Sequence, residues 1–420
     1  MAKLQTTKST SSKGNSILNT IGGLIALIVV LAGAALSIFT GGGNTPSATA
    51  IASVASPTPR TGVATVVSVT SAPTTSTGKV EIVSNIPKGF GAKKGFWEVY
   101  FTAPLDTTDR KQFVGGTDTV VAGIIDKAKN TLDIAAFEWN NEVMTAAALN
   151  AIKRGVVVRI VADNEHTIED DDSTMAEMEA AGVKVTYDNR SALMHNKFMI
   201  VDSSIILTGS TNWTMNGVYR NYNNLLVFRG VPQAVKFYQA EFDEMYTKKL
   251  FGPKKTANKT TPFMAPGNIP MEIYFAAQDD VIGKINSYIK GAKKTIRFMA
   301  FSFTEDSMGQ ALLAAAQTGV NVQGVFERTG STTDFSELKP LFCAGLDVRQ
   351  DNYGGIMHHK VLIIDSQIVI AGSFNFSNNA VQSNDENLVI IKDADLAAQY
   401  LAEFARVQKI STPPTKVTCS

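Results

Sequence analysis

The chain is poor in cysteine, in charge and in histidine. Two cysteines in 420 residues, Cys343 and Cys419, are too few for the disulfide framework of a small secreted scaffold. Charged residues make up 18% and apolar residues 44% of the chain, a balance that excludes disorder throughout. Residues 1–79 contain no acid at all, only Lys3, Lys8, Lys13, Arg60 and Lys79. Setting those five aside, 34 of the 39 bases remain against all 38 acids. A mildly acidic body argues against a protein that coats nucleic acid, which needs a strong basic footprint, and leaves only a local basic cleft open.

One long uncharged run stands out, from Ile17 to Phe39. At ~1.5 Å per residue such a run is long enough to cross a hydrocarbon core of ~30 Å. Three lysines precede it and none follows closely, so the positive-inside rule leaves the N-terminus cytoplasmic. The expectation is a basic cytoplasmic segment over 1–16, a transmembrane signal anchor over 17–39 and a flexible Ser/Thr/Pro/Gly stalk over 40–79. The chain would then be a single-pass membrane protein with its folded part extracytoplasmic. Cleavage near Ala48-Thr49-Ala50 would instead make that part secreted. In such a compartment Cys343 and Cys419 could pair; otherwise Cys343 is a small apolar residue on a helix and Cys419 is unpaired.

The rest is one unit written twice. Val99-Tyr100-Phe101 recurs as Ile273-Tyr274-Phe275, Ala136-Phe137 as Ala300-Phe301, and Met194-His195-Asn196-Lys197 as Met357-His358-His359-Lys360. The offset falls along the chain, which places an insertion of the first copy near Thr107–Gly116. Each copy alternates apolar strands with segments of helical spacing and ends in a hairpin. This predicts an α/β fold, with helices covering both faces of a sheet. The expected boundaries are 80–250 for the first copy, 251–270 for a linker with four prolines and three lysines, 271–410 for the second copy and 411–420 for a tail.

Within each copy a set of chemical residues keeps the same spacing. The first has His195, Lys197, Asp202, Gly209, Ser210 and Asn212; the second has His358, Lys360, Asp365, Gly372, Ser373 and Asn375. His195 and Lys197 share one face of a strand by its period of two. If Asp202 and Ser203 form a two-residue turn, Val201 pairs with Ser204 and Ser210 falls opposite His195. An imidazole, an ammonium, a hydroxyl and the amide of Asn212 would then meet, a set suited to a phosphate. Gly209 permits close backbone approach. Asp202 and Asp365 lie far along the strand and are read as structural, fixing the turn. His359 points away from Lys360 and is read as a packing or surface histidine. His166 precedes the run Glu169-Asp170-Asp171-Asp172, whose contiguous acids lack metal-ligand spacing and read as a solvated loop.

This His-x-Lys-x4-Asp-x6-Gly-Ser-x-Asn pattern, present twice, resembles the phospholipase D superfamily over residues ~95–410. The resemblance implies two tandem phospholipase D-like repeats, each a mixed sheet flanked by helices, packed about a pseudo-twofold axis. It implies one active site per pair of repeats, a covalent phosphohistidine, no metal and no cofactor. His195, Lys197, His358, Lys360 and Glu386 are the expected catalytic residues, with Ser210, Asn212, Ser373 and Asn375 on the phosphate. The resemblance further implies that an acid beyond Gly-Ser-x-Asn serves the histidine of the opposite copy. That position is Glu386 in copy two and Asn223 in copy one, so Glu386 should hold His195 and raise its basicity, and Asn223 should hold His358.

Two substrate classes stay open. Phospholipid cleavage or transphosphatidylation fits the anchor and the acidic body. Nucleic-acid cleavage fits the compact size, a resemblance to the small bacterial nuclease-like branch of the superfamily at Trp213-Thr214 and Phe376-Ser377, and a groove lined by Lys248, Lys249, Lys254, Lys255 and Lys259. A non-catalytic binder of anionic lipid or nucleic acid is the third reading. The membrane is an expected partner through residues 17–39, and no obligate protein partner is expected.

Overall fold

The computed structural model describes residues 78–168, 170–256 and 260–419. The run 17–39 and most of the stalk lie outside these. Among the described residues no helix is long and apolar enough to cross a membrane. The single-pass, extracytoplasmic placement expected above is therefore withdrawn.

Each copy forms a nine-stranded mixed sheet. In the first, the motif hairpin Lys197–Val201 and Ile205–Gly209 lies at the centre. On one side it is followed by Thr131–Ala136, Val157–Ala162 and Lys184–Tyr187, which run parallel to each other. On the other side come Asn224–Arg229, Trp97–Thr102 and an edge hairpin of Gly89–Lys94 with Glu81–Val83, all antiparallel. The second sheet repeats the plan around Lys360–Ile364 and Ile368–Gly372. The insertion of the first copy is the irregular stretch between Thr102 and Asp118, with one short turn at Arg110–Gln112.

Strand periodicity sorts the motif side chains. Phe198 and Ile200 enter a core shared with Val361, Ile363, Phe275 and the long helices Pro232–Tyr246 and Ala394–Lys409. Met199 and Val201 enter an outer core against Asp118–Ile125 and Glu142–Lys153. The second copy has its own outer core around Leu362 and Ile364. Both faces of each sheet are thus covered, and the two copies share their inner layer. All five residues of each motif strand are buried, which the apolar runs require.

The segment read as a linker does more than connect. Its strand Phe263–Ala265 forms the edge of the second sheet, and Lys255 is buried at 5% exposure. At the other end, Ser411–Thr412 pairs with Asp347–Asp351, and Cys343 and Cys419 are joined by a disulfide with Cα atoms 5.4 Å apart.

Candidate active site

The turn of the motif hairpin holds one residue more than the two-residue reading allows. Asp202 and Ser203 both take left-handed backbone, with φ of 50° and 47°, and Val201 pairs with Ile205 rather than Ser204. The slip of one residue moves Ser210 off His195. The Asp202 carboxylate lies behind the turn and accepts the main-chain N–H groups of Lys129, Asn130 and Thr131. Asp365 does the same for Lys293, Lys294 and Thr295. These bonds hold both carboxyls below their ordinary range, against the opposing effect of partial burial.

At the other end, Gly209 has φ of +142°, and a Cβ there would lie 2.3 Å from the carbonyl oxygen of Asn224. Gly372 is in the same position, 2.2 Å from that of Asn387. Any other residue would push these strands apart. The following serines are fully buried, and each has its single hydroxyl proton engaged. Ser210 donates to Asn223 Oδ1 at 2.8 Å and Ser373 to Glu386 Oε2 at 2.7 Å. Expected among the phosphate donors, they sit one step back, orienting the groups that face the histidines.

Those histidines belong to the opposite copies. Main-chain pairing crosses between the repeats at Met194 with Asp385 and at Met357 with Tyr222. The next residues are thereby brought together. His195 Nδ1 lies 2.8 Å from Glu386 Oε2. His358 Nδ1 lies 3.0 Å from Asn223 Oδ1 and 3.1 Å from the Ser210 carbonyl. The Asn223 amide is fixed the other way round by its donation to the Gly217 carbonyl. In both cases the partners are acceptors, so Nδ1 carries the proton and Nε2 presents its lone pair.

Lys197 and Lys360 are completely buried. Each donates to the main-chain carbonyl of its own histidine, at 2.7 and 2.8 Å. Each also lies over an aromatic ring, Phe137 at 4.6 Å and Phe301 at 4.7 Å. The same rings meet His195 and His358 edge-on. Burial, with the charge of the lysines, pushes both imidazoles well below their ordinary range, and each feels the lysine of the other copy. The gain in His195 basicity expected from Glu386 is thus outweighed in the free site. Burial lowers Lys197 to about 7 and raises Glu386 to about 8, each partly restored by the other's charge. Lys360 is lowered by burial and then by Lys197.

Three features escaped the sequence reading. Glu138, half-buried at the end of a strand, accepts a hydrogen bond from Asn212 at 2.6 Å. Burial raises its carboxyl, opposed by Lys197 and then His166. His166 pairs with Asp163 at 2.9 Å and packs on Phe137, beside His195. Lys255 forms buried ion pairs with Glu241 and Asp385, and Arg190 also pairs with Asp385. This anchors the chain just before Glu386. His359 is buried between Asn224 and Glu403, facing the shared core as its strand position dictates.

Of the expected lysine groove, Lys248, Lys249 and Lys254 are exposed. Lys255 is internal, Lys248 pairs with Glu244, Lys249 donates to Thr186, and Lys259 lies outside the described residues. In the acidic loop, Asp170 accepts from Asn140 and Asp172 pairs with Arg110, while Glu169 is not described. Among the described residues no three His, Cys, Asp or Glu side chains gather as metal ligands.

A family model described as cardiolipin synthase, PLD-like domain, matches residues 121–246 and 285–408, one match in each copy. The chain is similar to a mitochondrial cardiolipin hydrolase of Xenopus laevis, 31% identical over 137 residues, covering 33% of this chain and 65% of that protein. It is similar to a phospholipase D of Rickettsia felis, 39% identical over 120 residues, covering 29% of this chain and 60% of that protein. Both matches span less than two thirds of the relative's length. A phosphatidylserine synthase of Haemophilus influenzae Rd KW20 shares the fold, with a TM-score of 0.58 at 14% identity over 73% of this chain and 88% of that one.

Proposed function

The chain belongs to the cardiolipin synthase, PLD-like domain family, within the phospholipase D superfamily of phosphodiesterases, and from that premise we propose that it cleaves the phosphodiester of a phospholipid through a phosphohistidine on His195. The observation that carries this reading is the crossed pairing of His195 with Glu386 and of His358 with Asn223. It leaves two Nε2 atoms for one substrate.

His195 Nε2 attacks phosphorus while the bond to the leaving alcohol breaks. Protonated His358 gives its proton to the departing oxygen. Lys197, Lys360, Asn212 and Asn375 hold the phosphoryl oxygens, and Ser210, Ser373 and Asn223 keep the machinery in register. His358 then takes a proton from water, which attacks phosphorus and releases His195. An alcohol in place of water gives transphosphatidylation. Asp202, Asp365, Gly209 and Gly372 act as scaffold.

Phospholipid is favoured over nucleic acid because the body is net acidic and Lys255, at the centre of the candidate lysine run, is buried in ion pairs. The names of the relatives from Xenopus and Rickettsia point the same way. Trp213 and Phe376, whose wording suggested a nuclease, are fully buried core residues. The test sets the protein against labelled phosphatidylcholine, cardiolipin and single-stranded DNA in parallel, with His195→Ala as control. Lipid turnover lost in the variant is expected. DNA cleavage without lipid turnover, or binding without turnover of any diester, would refute the reading.

A further inference from the structure

The two copies differ at a second charged position. Ala136 pairs with Lys197 and Ala300 with Lys360. Both strands end at these pairs, and the second residue beyond each is Glu138 in the first copy and Ser302 in the second. Glu138 Oε2 receives the Asn212 amide at 2.6 Å. Lys197 is its strongest neighbouring charge; His166 adds to the attraction and Asp170 opposes it. Lys360 of the other copy feels the carboxylate too. Asn212 Oδ1 is buried without a partner, so the contact with Glu138 leaves that side chain half satisfied. The amide and ammonium that would hold a phosphoryl oxygen therefore already face a carboxyl group, whose ionised form Lys197 and His166 favour against its burial. The second copy presents a neutral hydroxyl at the same place.

We propose that Glu138 sets the charge preference of this pocket, favouring a singly charged phosphodiester over a doubly charged phosphomonoester or inorganic phosphate. The proposal rests on the reading of Lys197 and Asn212 as phosphate-holding groups. Repulsion between a fixed carboxylate and a ligand scales with the ligand's charge, and a buried site screens it weakly. A dianion is therefore penalised about twice as much as a monoanion in free energy. Hydrolysis of a diester yields a monoester, so the same carboxylate favours loss of product over its retention. Two lysines facing each other without Glu138 would hold a dianion most tightly and be inhibited by it.

The test is direct binding of inorganic phosphate and of dimethyl phosphate by calorimetry, at pH about 7.5, where phosphate is mostly dianionic. Wild type is compared with Glu138→Gln and Glu138→Ser, and turnover of bis(p-nitrophenyl) phosphate is followed in parallel. The glutamine keeps an acceptor for Asn212, and the serine copies Ser302. Thermal melts show whether either variant unfolds. In both variants phosphate should bind about tenfold tighter and dimethyl phosphate only about threefold tighter, the square-root relation that a halved ligand charge implies. An unchanged preference, a parallel weakening of both ligands, or no binding of either by any of the three proteins overturns the proposal. Weakening in parallel would mean that Glu138 only holds Asn212. A shifted preference without turnover refutes the hydrolase reading and leaves charge selection standing; turnover with an unshifted preference does the reverse.

Discussion

Glu386→Gln separates the charge of this side chain from its geometry. The carboxylate accepts from His195 Nδ1 at 2.8 Å and from Ser373 at 2.7 Å through the same oxygen. A glutamine oxygen can occupy that position, as the amide oxygen of Asn223 does for His358 at 3.0 Å. The tautomer of His195 is then preserved; the negative charge is lost, together with the weaker bond that Asn384 donates to the other oxygen at 3.3 Å. Replacing a charge-assisted hydrogen bond by a neutral one costs about 1.5 kcal/mol. The Coulomb limit, for charge centres about 4 Å apart at an effective dielectric of about 20, is about 4 kcal/mol. At 1.36 kcal/mol per decade the chemical step should slow by about tenfold to a thousandfold. Asn223→Asp adds a carboxylate beside His358 and should slow attack far less, since His358 is not the group that becomes phosphorylated. The assay is rapid quench with a phosphorus-labelled diester, resolving formation from decay of the phosphoenzyme, followed by mapping of the labelled peptide. Label should sit on the His195 peptide, with both rates reduced in Glu386→Gln. Label on the His358 peptide, or an unchanged chemical step, would sink the assignment.

The pH profile of kcat/KM should peak on the acid side of neutrality. Burial lowers His195, so its Nε2 is deprotonated and ready below the ordinary histidine range; the same lowering makes His358 lose the acid proton early. Burial also lowers Lys197, and the Glu386 and Glu138 carboxylates oppose that lowering. Loss of the His358 proton therefore lowers activity above neutrality, and a profile flat from pH 5 to 9 under chemistry-limited conditions would contradict the paired roles. Removing the disulfide that closes 76 residues, as Cys343→Ser with Cys419→Ser, should cost at most about 4.5 kcal/mol of stability. A melting temperature unchanged from wild type would show that the bond constrains little. Asp202→Ala should destabilise by about 2–3 kcal/mol, since three main-chain N–H groups lose an ionised acceptor. The folded pKa of Asp202 is depressed, so its contribution is present above the ordinary carboxyl range and fades as pH falls through the folded value. Denaturant midpoints of variant and wild type should converge in strong acid, and a gap that stays constant there would argue against the carboxylate as the cause.

The repeat made most of the fold readable, because each apolar strand and helical segment could be checked against its copy. Period two placed Lys197 with His195 and turned His359 towards the shared core, and the equal spacing of Glu386 and Asn223 from their own histidines marked both. What stayed hidden depends on chain segments meeting. The extra residue in the turn after Val201 follows from the left-handed backbone at Asp202 and Ser203, which composition does not determine. Lys255 sits in a proline-rich segment that looks solvated, and only the docking of that segment against Glu241 and Asp385 removes it from water. The difference between Glu138 and Ser302 was visible by aligning the copies; its contact with Asn212 was not.

The two departures from symmetry act in one direction. Glu386 comes from copy two and holds His195, and Glu138 comes from copy one and faces Lys197, the partner of His195 in the motif. His358 has Asn223 and Ser302 in the corresponding places, both neutral. A histidine that must carry a phosphoryl group is positively charged in that state, and nearby carboxylates stabilise it there. His358 must first give up a proton and then take one, and burial together with Lys360 and Lys197 makes it give that proton up readily. Duplication alone would give two equivalent imidazoles. The charge placed around one of them makes the order of events, attack by His195 and proton transfer by His358, the lower-energy sequence.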